Sequence, residues 1–239
     1  MNRTVESQGA VPEPTGVFPI EIDPQSKPVG ANDMLDGTAS VAIVLLAAGK
    51  ASRMGEGGAH KLLAEFDGIP LVRRSALAAL GADAATVVAV TGHRRAEIET
   101  ALAGLGIHIA ENPNYATGIA SSLVTGFAAL GVHEADGVLV MLADMPGVTH
   151  ADLNALIAAF RRSSGDVIVR AVSNGKRGNP VILPRSLGEA VMRLVGDTGA
   201  RHLIETSGLP VIDVDIGDAA HLDVDTPQEV IAAGGVLRG

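Results

Sequence analysis

Short apolar runs alternate with stretches of helical spacing from residue 41 onward, and this alternation constrains the fold more than any other feature. The strand-like runs are 41–47, 86–91, 107–110, 137–142 and 166–171, followed by 180–183 and 210–214. The helical stretches are 69–81, 94–104, 118–131 and 149–162, followed by 185–206 and 226–234. Continuous apolar strands separated by helices are typical of a parallel sheet covered on both faces. We predict an α/β fold with a doubly wound, mostly parallel sheet that binds ligands at the carboxyl ends of its strands.

The composition excludes several kinds of site. The 239-residue chain has no cysteine, no tryptophan, one tyrosine and a formal net charge of −9. Without cysteine there are no disulfides, thiolate metal sites or cysteine nucleophiles, and the acidic balance disfavours nucleic-acid and membrane-surface partners. The longest apolar run, 41–48, is far shorter than the roughly 20 residues that span a bilayer, and no secretion signal is recognisable. We expect a soluble, cytoplasmic protein without nucleic-acid or membrane partners.

Residues 1–40 differ in composition from the rest of the chain. They hold five of the twelve prolines and two basic against six acidic residues, with no useful helical or strand period. Such a segment is predicted to be a flexible tail. We therefore divide the chain into a tail, 1–40, and one folded domain, 41–239.

The segment after the first predicted strand is rich in small residues and is followed by a lysine. It reads Ala47-Ala48-Gly49-Lys50-Ala51-Ser52-Arg53-Met54-Gly55 and is followed by Lys61. Small residues admit a ligand close to the backbone, whose amides can cradle phosphate oxygens, while Arg53 and Lys61 would neutralise a polyphosphate. The spacing matches neither GxxxxGK[ST] nor GxGxxG. An ordinary glycine-rich surface loop with solvated charges is the alternative on residue chemistry alone.

The charge around this segment is opposite in sign to that of the whole chain. Residues 50–95 carry seven basic and four acidic groups, a surplus of three positive charges. A local surplus of this kind suits an anionic substrate. The pairs Arg73-Arg74 and Arg94-Arg95 are more typical of solvated helix faces.

Two acidic segments are candidates for metal ligands. Asp144 follows the predicted strand 137–142, at the edge where doubly wound proteins bind ligands, and Mg²⁺ takes carboxylates together with substrate phosphates. The alternative is that Asp144 only opens the turn before the next helix, which is a common role for aspartate. Near the C-terminus, Asp223 and Asp225 precede Thr226-Pro227, which also has the pattern of a helix start with a threonine cap.

The loop and the acidic segments resemble those of the MobA-like nucleotidyltransferases. LAAGKASRMG followed by a lysine is similar to the family signature LAAGxSxRxG…K, although Ala51 stands at the usual serine and the spacer before Lys61 is longer. The resemblance implies a Rossmann-like nucleotidyltransferase fold and catalytic roles for Arg53, Lys61 and Asp144. The nucleotide-binding residues that it implies in the loop are Leu46, Ala47, Ala48, Gly49, Arg53 and Lys61. Its DMP and D[IV]DTP elements imply Asp144 and Asp225 as ligands of Mg²⁺, with Mn²⁺ as an alternative, and Asp223 ranks behind them.

Further segments resemble the MocA-like branch, the molybdenum cofactor cytidylyltransferases. Residues 112–123 match its NPxYxxGxxxSL element, residues 178–180 its GxP, residues 196–201 its GDxGAR, and residues 90–93 the end of its second strand. The resemblance implies that the nucleotide also contacts Thr91, Gly92 and Ser122. It implies that the cofactor substrate lies beside Gly118, Ser121, Gly178, Pro180, Asp197 and Gly199. On chemistry alone, residues 112–123 are equally a turn followed by a helix cap.

The implied reaction transfers CMP from CTP to the phosphate of Mo-molybdopterin, giving molybdopterin cytosine dinucleotide and pyrophosphate. The receiving partner would be a molybdenum hydroxylase or its maturation factor. Two alternatives stay open: a guanylyl or uridylyl transferase acting on another small phosphate, and a non-catalytic partner that delivers the cofactor to molybdenum hydroxylases. A glycosyltransferase built on Asp223-Val224-Asp225 is disfavoured because that segment lies near the C-terminus.

Overall fold

The structure is a computed structural model that describes residues 39–54, 59–163 and 166–237. The predicted flexible tail, 1–40, lies outside the described residues except for its last two positions, so the tail and the division of the chain stay predictions. No helix in the described parts of the chain is long and apolar enough to cross a membrane.

A seven-stranded sheet forms the centre of the domain, with the strand order β5-β4-β1-β6-β8-β7-β9. The strands are β1 Val41–Ala47, β2 Glu65–Phe66, β3 Ile69–Pro70, β4 Thr86–Thr91, β5 His108–Glu111, β6 Gly137–Leu142, β7 Ile168–Ser173, β8 Lys176–Pro184 and β9 Val211–Asp215. Only β8 runs antiparallel to its neighbours in this sheet, since β1, β4, β5 and β6 pair in parallel and β9 is parallel to β7. The predicted doubly wound, mostly parallel sheet is confirmed.

Helices cover both faces of this sheet. They are α1 Leu71–Leu80, α2 Arg95–Leu102, α3 Ile119–Ala128, α4 His150–Arg162, α5 Gly188–Met192, α6 Ala200–Thr206 and α7 Pro227–Ala232. Alternate side chains of a strand point to opposite faces, so Ile43 packs in one buried cluster with α1, α2 and α4, whereas Val44 packs in another with α3, α5 and α6. Both faces of β1 are therefore buried, which explains why its sequence is continuously apolar.

The prediction of one helical stretch over 185–206 is wrong, because the structure divides this range into separate elements. A 3-10 turn at Arg185–Leu187 and helix α5 are separated from α6 by residues 193–199. Gly196 in this gap has a φ of +65°, a left-handed conformation that a right-handed helix cannot contain. The gap brings Asp197 toward the carboxyl edge of the sheet, where it borders the cleft described below.

A third buried cluster lies under the loops at this edge. Met54, Phe66, Leu71, Val224 and Val230 pack together, joining the 3-10 turn after β1, the small β2–β3 sheet, α1 and α7. The cluster fixes Met54, which follows Arg53, and Val224, which precedes Asp225.

The carboxyl edge of β1 is the point at which the direction of winding reverses. From β1 the chain moves to β4 and β5 on one side, and later returns to β6 on the other side of β1. A crevice opens at such a reversal because the loops after the two strands diverge. The loop that begins at Ala48 and the Asp144 segment therefore face each other across one crevice.

Candidate functional site

A cleft of about 380 Å³ occupies this crevice. Its lining comes from the loop after β1, the turn that carries Lys61, the segment before α3, the end of β6, and Asp197. The predicted residues that line it are Leu46, Ala48, Gly49, Lys61, Gly118, Ser122, Asp144 and Asp197. The structure thus brings together residues that are up to 151 positions apart in the sequence, from Leu46 to Asp197.

Lys61 lies between two carboxylates at the floor of this cleft. Its Nζ donates to Oδ2 of Asp144 at 2.6 Å and to Oδ1 of Asp225 at 2.6 Å. The guanidinium of Arg53 pairs with the other oxygen of Asp225. We call Arg53, Lys61, Asp144 and Asp225 the charge cluster. Because the Lys61 and Asp144 side chains are only 12% and 17% exposed, water screens their interaction weakly.

Backbone contacts place the two carboxylates side by side. The β1–β6 ladder continues one step beyond β6, where Ala143 N donates to Leu46 O, and Asp144 follows directly. The N–H of Val224 donates to the carbonyl of Asp144 at 3.0 Å. Since Val224 is fully buried, the residue after it, Asp225, is held beside Asp144.

The start of α7 supports the same arrangement. Thr226 and Glu229 form a capping box at the N-terminus of α7, and Pro227 is the first helical residue. Glu229 also accepts from the backbone N–H of Asp225 at 2.8 Å. The helix-start interpretation of this segment is confirmed, and it is compatible with a functional one because the Asp225 side chain stays available to the charge cluster.

The carboxylates of the cluster differ in their electrostatic environment. Burial raises the pKa of Asp144, partly opposed by the Lys61 ammonium, and the charges of Asp223 and Asp225 add to the rise. The hydrogen bond from Lys61 lowers the pKa of Asp225. Burial alone would lower the pKa of Lys61, but the charge of Asp144 and hydrogen bonds with both carboxylates outweigh it, so the pKa is raised. Asp144 is the member of the cluster that most favours a further cation beside it.

The residues present fit a divalent metal ion that is completed by a substrate. Oδ1 of Asp144 is buried and has no hydrogen-bond partner among the described residues, which leaves a strong acceptor for a cation. Within the same parts of the chain, no group of three or more His, Cys, Asp or Glu side chains is arranged to hold a metal. Mg²⁺ is commonly bound through one or two carboxylates plus substrate phosphates and water. Asp144 and Asp225 are the residues that would hold it.

The loop after β1 contributes backbone and one further cation to the cleft. Leu46, Ala48 and Gly49 line it, whereas Ala47 is buried as the last residue of β1. Lys50 also lines the cleft, although no motif assigns it a role. It is exposed and has no ion pair with any residue that the structure describes. Its position in the glycine-containing loop was the only available signal.

Arg53 lies beside this lining rather than in it. Its side chain pairs with Asp225 but is 71% exposed. Because it is so exposed, the guanidinium can turn toward a phosphate at the rim. Arg53 therefore extends the positive charge of Lys61 outward from the floor of the cleft.

The opposite wall carries polar groups and the one tyrosine of the chain. Ser122 is buried, and its Oγ accepts from Nδ2 of Asn112 at 3.0 Å. The Oγ of Ser121 instead donates to the carbonyl of Gly118 at 2.8 Å and accepts from Nδ2 of Asn112. Ser121 therefore ties the turn before α3 together, but α3 has no side-chain cap. Tyr115, which no motif argument had assigned to ligand binding, also lines the cleft.

The remaining predicted residues do not line this cleft. Thr91 is fully buried and donates to Glu99, and a Cβ on Gly92 would lie 2.7 Å from the Cβ of Tyr115, so this glycine serves packing. Gly178 lines a second cavity of about 540 Å³. Pro180 is buried, and Gly199 precedes α6.

Four arginines of the positively charged segment have structural partners. Arg73 donates to the carbonyls of Ala101 and Ala103 at the C-terminal end of α2, and Arg74 pairs with Asp67. Arg94 and Arg95 pair with acidic residues of α2 and β5: Glu97, Glu99 and Glu111. The positive charge that faces the cleft therefore comes from Lys50, Arg53 and Lys61.

Replacing Gly118 by Ala should strongly destabilise the wall of the cleft. Gly118 has a φ of +113°, and a Cβ there would lie 2.2 Å from the carbonyl oxygen of Gly196 and 2.6 Å from Oδ1 of Asp197. Backbone strain of about 1–3 kcal/mol adds to the displacement of residues 196–197, so we expect the free energy of unfolding to fall by about 3 kcal/mol or more. Urea unfolding measures it.

Gly104→Ala is the matched control for Gly118→Ala. Gly104 also has a positive φ, +77°, but nothing lies within 4 Å of its Cβ position. It should lose only the roughly 1–2 kcal/mol of left-handed strain. Equal losses in the two variants would contradict the close approach of residues 196–197 to Gly118.

Comparison with known proteins identifies the domain. A family model described as the MobA-like NTP transferase domain matches residues 43–211. The chain belongs to this family. The match spans β1 to the start of β9 and so includes the loop after β1, Lys61 and Asp144; Asp225 lies beyond it.

Two curated relatives of this MobA-like domain differ in coverage. Purine catabolism protein PucB of Bacillus subtilis (strain 168) is 30% identical over 199 residues, which are 78% of this chain and 92% of PucB. Bifunctional protein GlmU of Novosphingobium aromaticivorans is 34% identical over 117 residues, 49% of this chain. The chain spans only 25% of that GlmU.

Solved structures share the fold of this MobA-like domain. Rv0371c of Mycobacterium tuberculosis H37Rv has a TM-score of 0.70 at 23% identity, covering 82% of this chain and 98% of its own. It has also been solved in complex with manganese. CMP:2-keto-3-deoxy-manno-octonic acid synthetase complexed with CTP has a TM-score of 0.65 at 16% identity, covering 82% of this chain and 99% of its own. At these identities the likeness shows the fold alone.

Proposed function

We propose that this MobA-like transferase moves CMP from CTP to the phosphate of Mo-molybdopterin, releasing pyrophosphate. The observation that carries a nucleotidyl transfer is the position of Lys61 between Asp144 and Asp225, beside the glycine-containing loop. The resemblance of residues 112–123 and 196–201 to the MocA-like branch supports the cytidylyl substrate. A structure of the same fold that holds CTP supports a nucleotide in this cleft.

The residues of the cleft have separable tasks in this reaction. The backbone of Ala48 and Gly49 approaches the nucleotide, and Lys50, Arg53 and Lys61 neutralise its phosphates. An oxygen of the acceptor phosphate attacks the α-phosphorus in line, the bond to the β-phosphate oxygen breaks, and pyrophosphate leaves. Transfers of this kind depend on positioning and charge neutralisation more than on covalent catalysis.

Asp144 and Asp225 are the proposed ligands of Mg²⁺, with Mn²⁺ as the alternative. The ion, when bound, screens the negative charge of the phosphates and orients them. The unpartnered Oδ1 of Asp144 supports this assignment, as does the manganese complex of a protein with the same fold. Lys61 favours the ionised form of both carboxylates and holds them close together until the substrate arrives, because its ammonium is bonded to both.

A second cavity supports an anionic acceptor. Its lining includes Gly178, four cations and Glu205, and these residues come from β7, the start of β8 and α6. The cations are Arg170, Lys176, Arg177 and Arg201. Arg170 pairs with Asp213, and Arg177 and Arg201 share Glu205. Four cations against two carboxylates leave a positive surplus that suits a phosphate-bearing molecule, and a receiving molybdenum hydroxylase or maturation factor would take the product from this side.

Pyrophosphate release across nucleotides tests the proposal. The protein is incubated with Mg²⁺, Mo-molybdopterin and CTP, GTP, UTP or ATP in turn, and a mixture without acceptor serves as the control. We expect release with CTP, dependent on the acceptor, and the dinucleotide as the second product. Preference for GTP or UTP would establish a guanylyl or uridylyl transferase instead. Binding of nucleotide and pterin without pyrophosphate release would establish a delivery protein.

A further inference from the structure

His60 is a buried residue that contacts the loop after β1 but belongs to none of the family motifs. It is 3% exposed and immediately precedes Lys61. Its Nε2 lies 3.3 Å from the carbonyl oxygen of Gly49, and its Nδ1 accepts from the N–H of Leu62 at 3.3 Å. One imidazole ring thus joins the start of the loop after β1 to the turn that carries Lys61.

The protonation of His60 suits these two contacts. Burial lowers its pKa to about 4, and although the hydrogen bond with the Gly49 carbonyl opposes this fall, the nearby His93, Arg94 and Lys61 add to it. The ring is therefore neutral at pH 7 and carries one proton. Because Nδ1 accepts from Leu62, the proton is on Nε2, which donates to Gly49.

A second ring extends this contact to the opposite wall. His60 stacks on His93, with ring centroids 5.6 Å apart and an interplanar angle of 27°. The backbone N–H of His93 donates to the carbonyl of Ala48 at 3.1 Å, and its ring lies 5.9 Å from that of Tyr115. The loop after β1, the end of β4 and the segment before α3 meet at these rings.

We propose that His60 is a positioning residue for nucleotide binding, holding the Gly49 carbonyl so that the loop and Lys61 keep one fixed separation. The Gly49 backbone is exposed, and nothing lies within 4 Å of its Cβ position, so packing does little to restrain it. The inference rests on the proposed transfer in this cleft. It adds a residue that contacts no substrate and acts through Gly49 and Lys61.

Two conservative variants separate the two contacts of the ring. In His60→Gln the side-chain amide nitrogen is close to the position of Nε2 and can still donate to Gly49. In His60→Asn the carbonyl oxygen is close to the position of Nδ1 and can still accept from Leu62, but no group reaches Gly49. A lost hydrogen bond of ordinary strength corresponds to about a 3- to 10-fold change. We expect His60→Asn to raise the KM for CTP by that factor with little change in kcat, and His60→Gln to stay near wild type.

Amide hydrogen exchange gives a readout that needs no nucleotide. We expect faster exchange of residues 49–53 in His60→Asn, unchanged exchange there in His60→Gln, and unchanged exchange in α1 and α4 in both. Thermal unfolding of the two variants checks that both are folded. A rise in KM and loop exchange in His60→Gln rather than His60→Asn would assign the role to the Leu62 contact and overturn the proposal. So would wild-type behaviour of both variants.

The same measurements separate this inference from the proposed function. If wild type neither binds CTP nor releases pyrophosphate, while loop exchange rises in His60→Asn alone, the transfer is wrong and the fixation of the loop stands. If wild type turns over CTP and the two variants are equal to each other in KM and in exchange, the transfer stands and the positioning role is wrong.

Discussion

Replacing Asp144 by Asn should lower kcat by about 10²- to 10³-fold, the size of effect seen when one electrostatic contact to the transition state is removed. Asn keeps the shape of the side chain but loses its negative charge. Lys61 therefore loses a charged partner, and the buried Oδ1 is no longer a carboxylate oxygen. Affinity for CTP should fall much less, because the loop after β1 and the cations Lys50, Arg53 and Lys61 remain. Pyrophosphate release measures kcat, and calorimetric titration with CTP measures binding.

Asp67→Asn is the matched control for Asp144→Asn. Asp67 pairs with Arg74, and its side chain is 86% exposed, so the substitution removes the same charge away from the cleft. An exposed ion pair contributes about 0–1 kcal/mol, and turnover should be unchanged. Undiminished turnover in Asp144→Asn, or an equal loss in Asp67→Asn, would exclude Asp144 from the catalytic machinery.

The fold could be predicted because its signals are local. The apolar runs that became β1, β4 and β6 match the predicted strands at both ends, since burial on both faces requires continuous apolar sequence. The predicted helix over 185–206 failed because the left-handed Gly196 interrupts it. The antiparallel β7–β8 hairpin was not predicted, although Asn174-Gly175, both with positive φ, is a typical two-residue hairpin turn.

The charge cluster could be predicted only as separate candidates. Lys61 contacts Asp144, 83 residues away, and Asp225, 164 residues away, and no spacing in the sequence encodes such contacts. The resemblance to the family named these residues as candidates. Only the order of the strands in the folded sheet brings them into contact. His60 was missed because a single histidine without metal-ligand spacing has no pattern, and its role depends on a carbonyl 11 residues earlier.

At two motif glycines, the structure explains the need for glycine differently from the motif, which predicted contact with a ligand. Gly92 matches the motif, but it is glycine because a Cβ would lie 2.7 Å from Tyr115 and 2.9 Å from Ala48. The Cβ of a residue at Gly178 would lie 2.3 Å from the carbonyl oxygen of Ala220. A motif records that a side chain is excluded, and only the structure shows whether a ligand or a neighbouring segment excludes it.

Lys61→Met should convert the two carboxylates into a metal site that can be measured without nucleotide. Met is unbranched and similar in length, but it removes the ammonium that neutralises Asp144 and Asp225. Breaking a buried pair in this way costs about 3–5 kcal/mol, and the lower end applies here because Asp225 is partly exposed. The pKa of Asp144, already raised by burial, should rise further. The loss should therefore shrink as pH falls through that pKa, because protonation removes the repulsion.

Adding Mn²⁺ or Mg²⁺ should restore part of this stability in Lys61→Met. An ion that binds only the folded state contributes about 2.7 kcal/mol at 100 times its Kd. Wild type should gain less, because the Lys61 ammonium already lies between the two carboxylates and competes with the ion. Thermal unfolding with and without Mn²⁺ measures the difference, and pH series of both proteins measure the linkage.

Two further variants make this result specific. Lys50→Met removes a cleft cation that touches neither carboxylate and should leave the response to Mn²⁺ as in wild type. The double variant Lys61→Met, Asp144→Asn should lose the added response, since it lacks the carboxylate with the unpartnered oxygen. An equal gain from Mn²⁺ in wild type and in Lys61→Met would mean that lysine and metal do not compete for the space between Asp144 and Asp225. The assignment of both carboxylates as metal ligands would then be wrong.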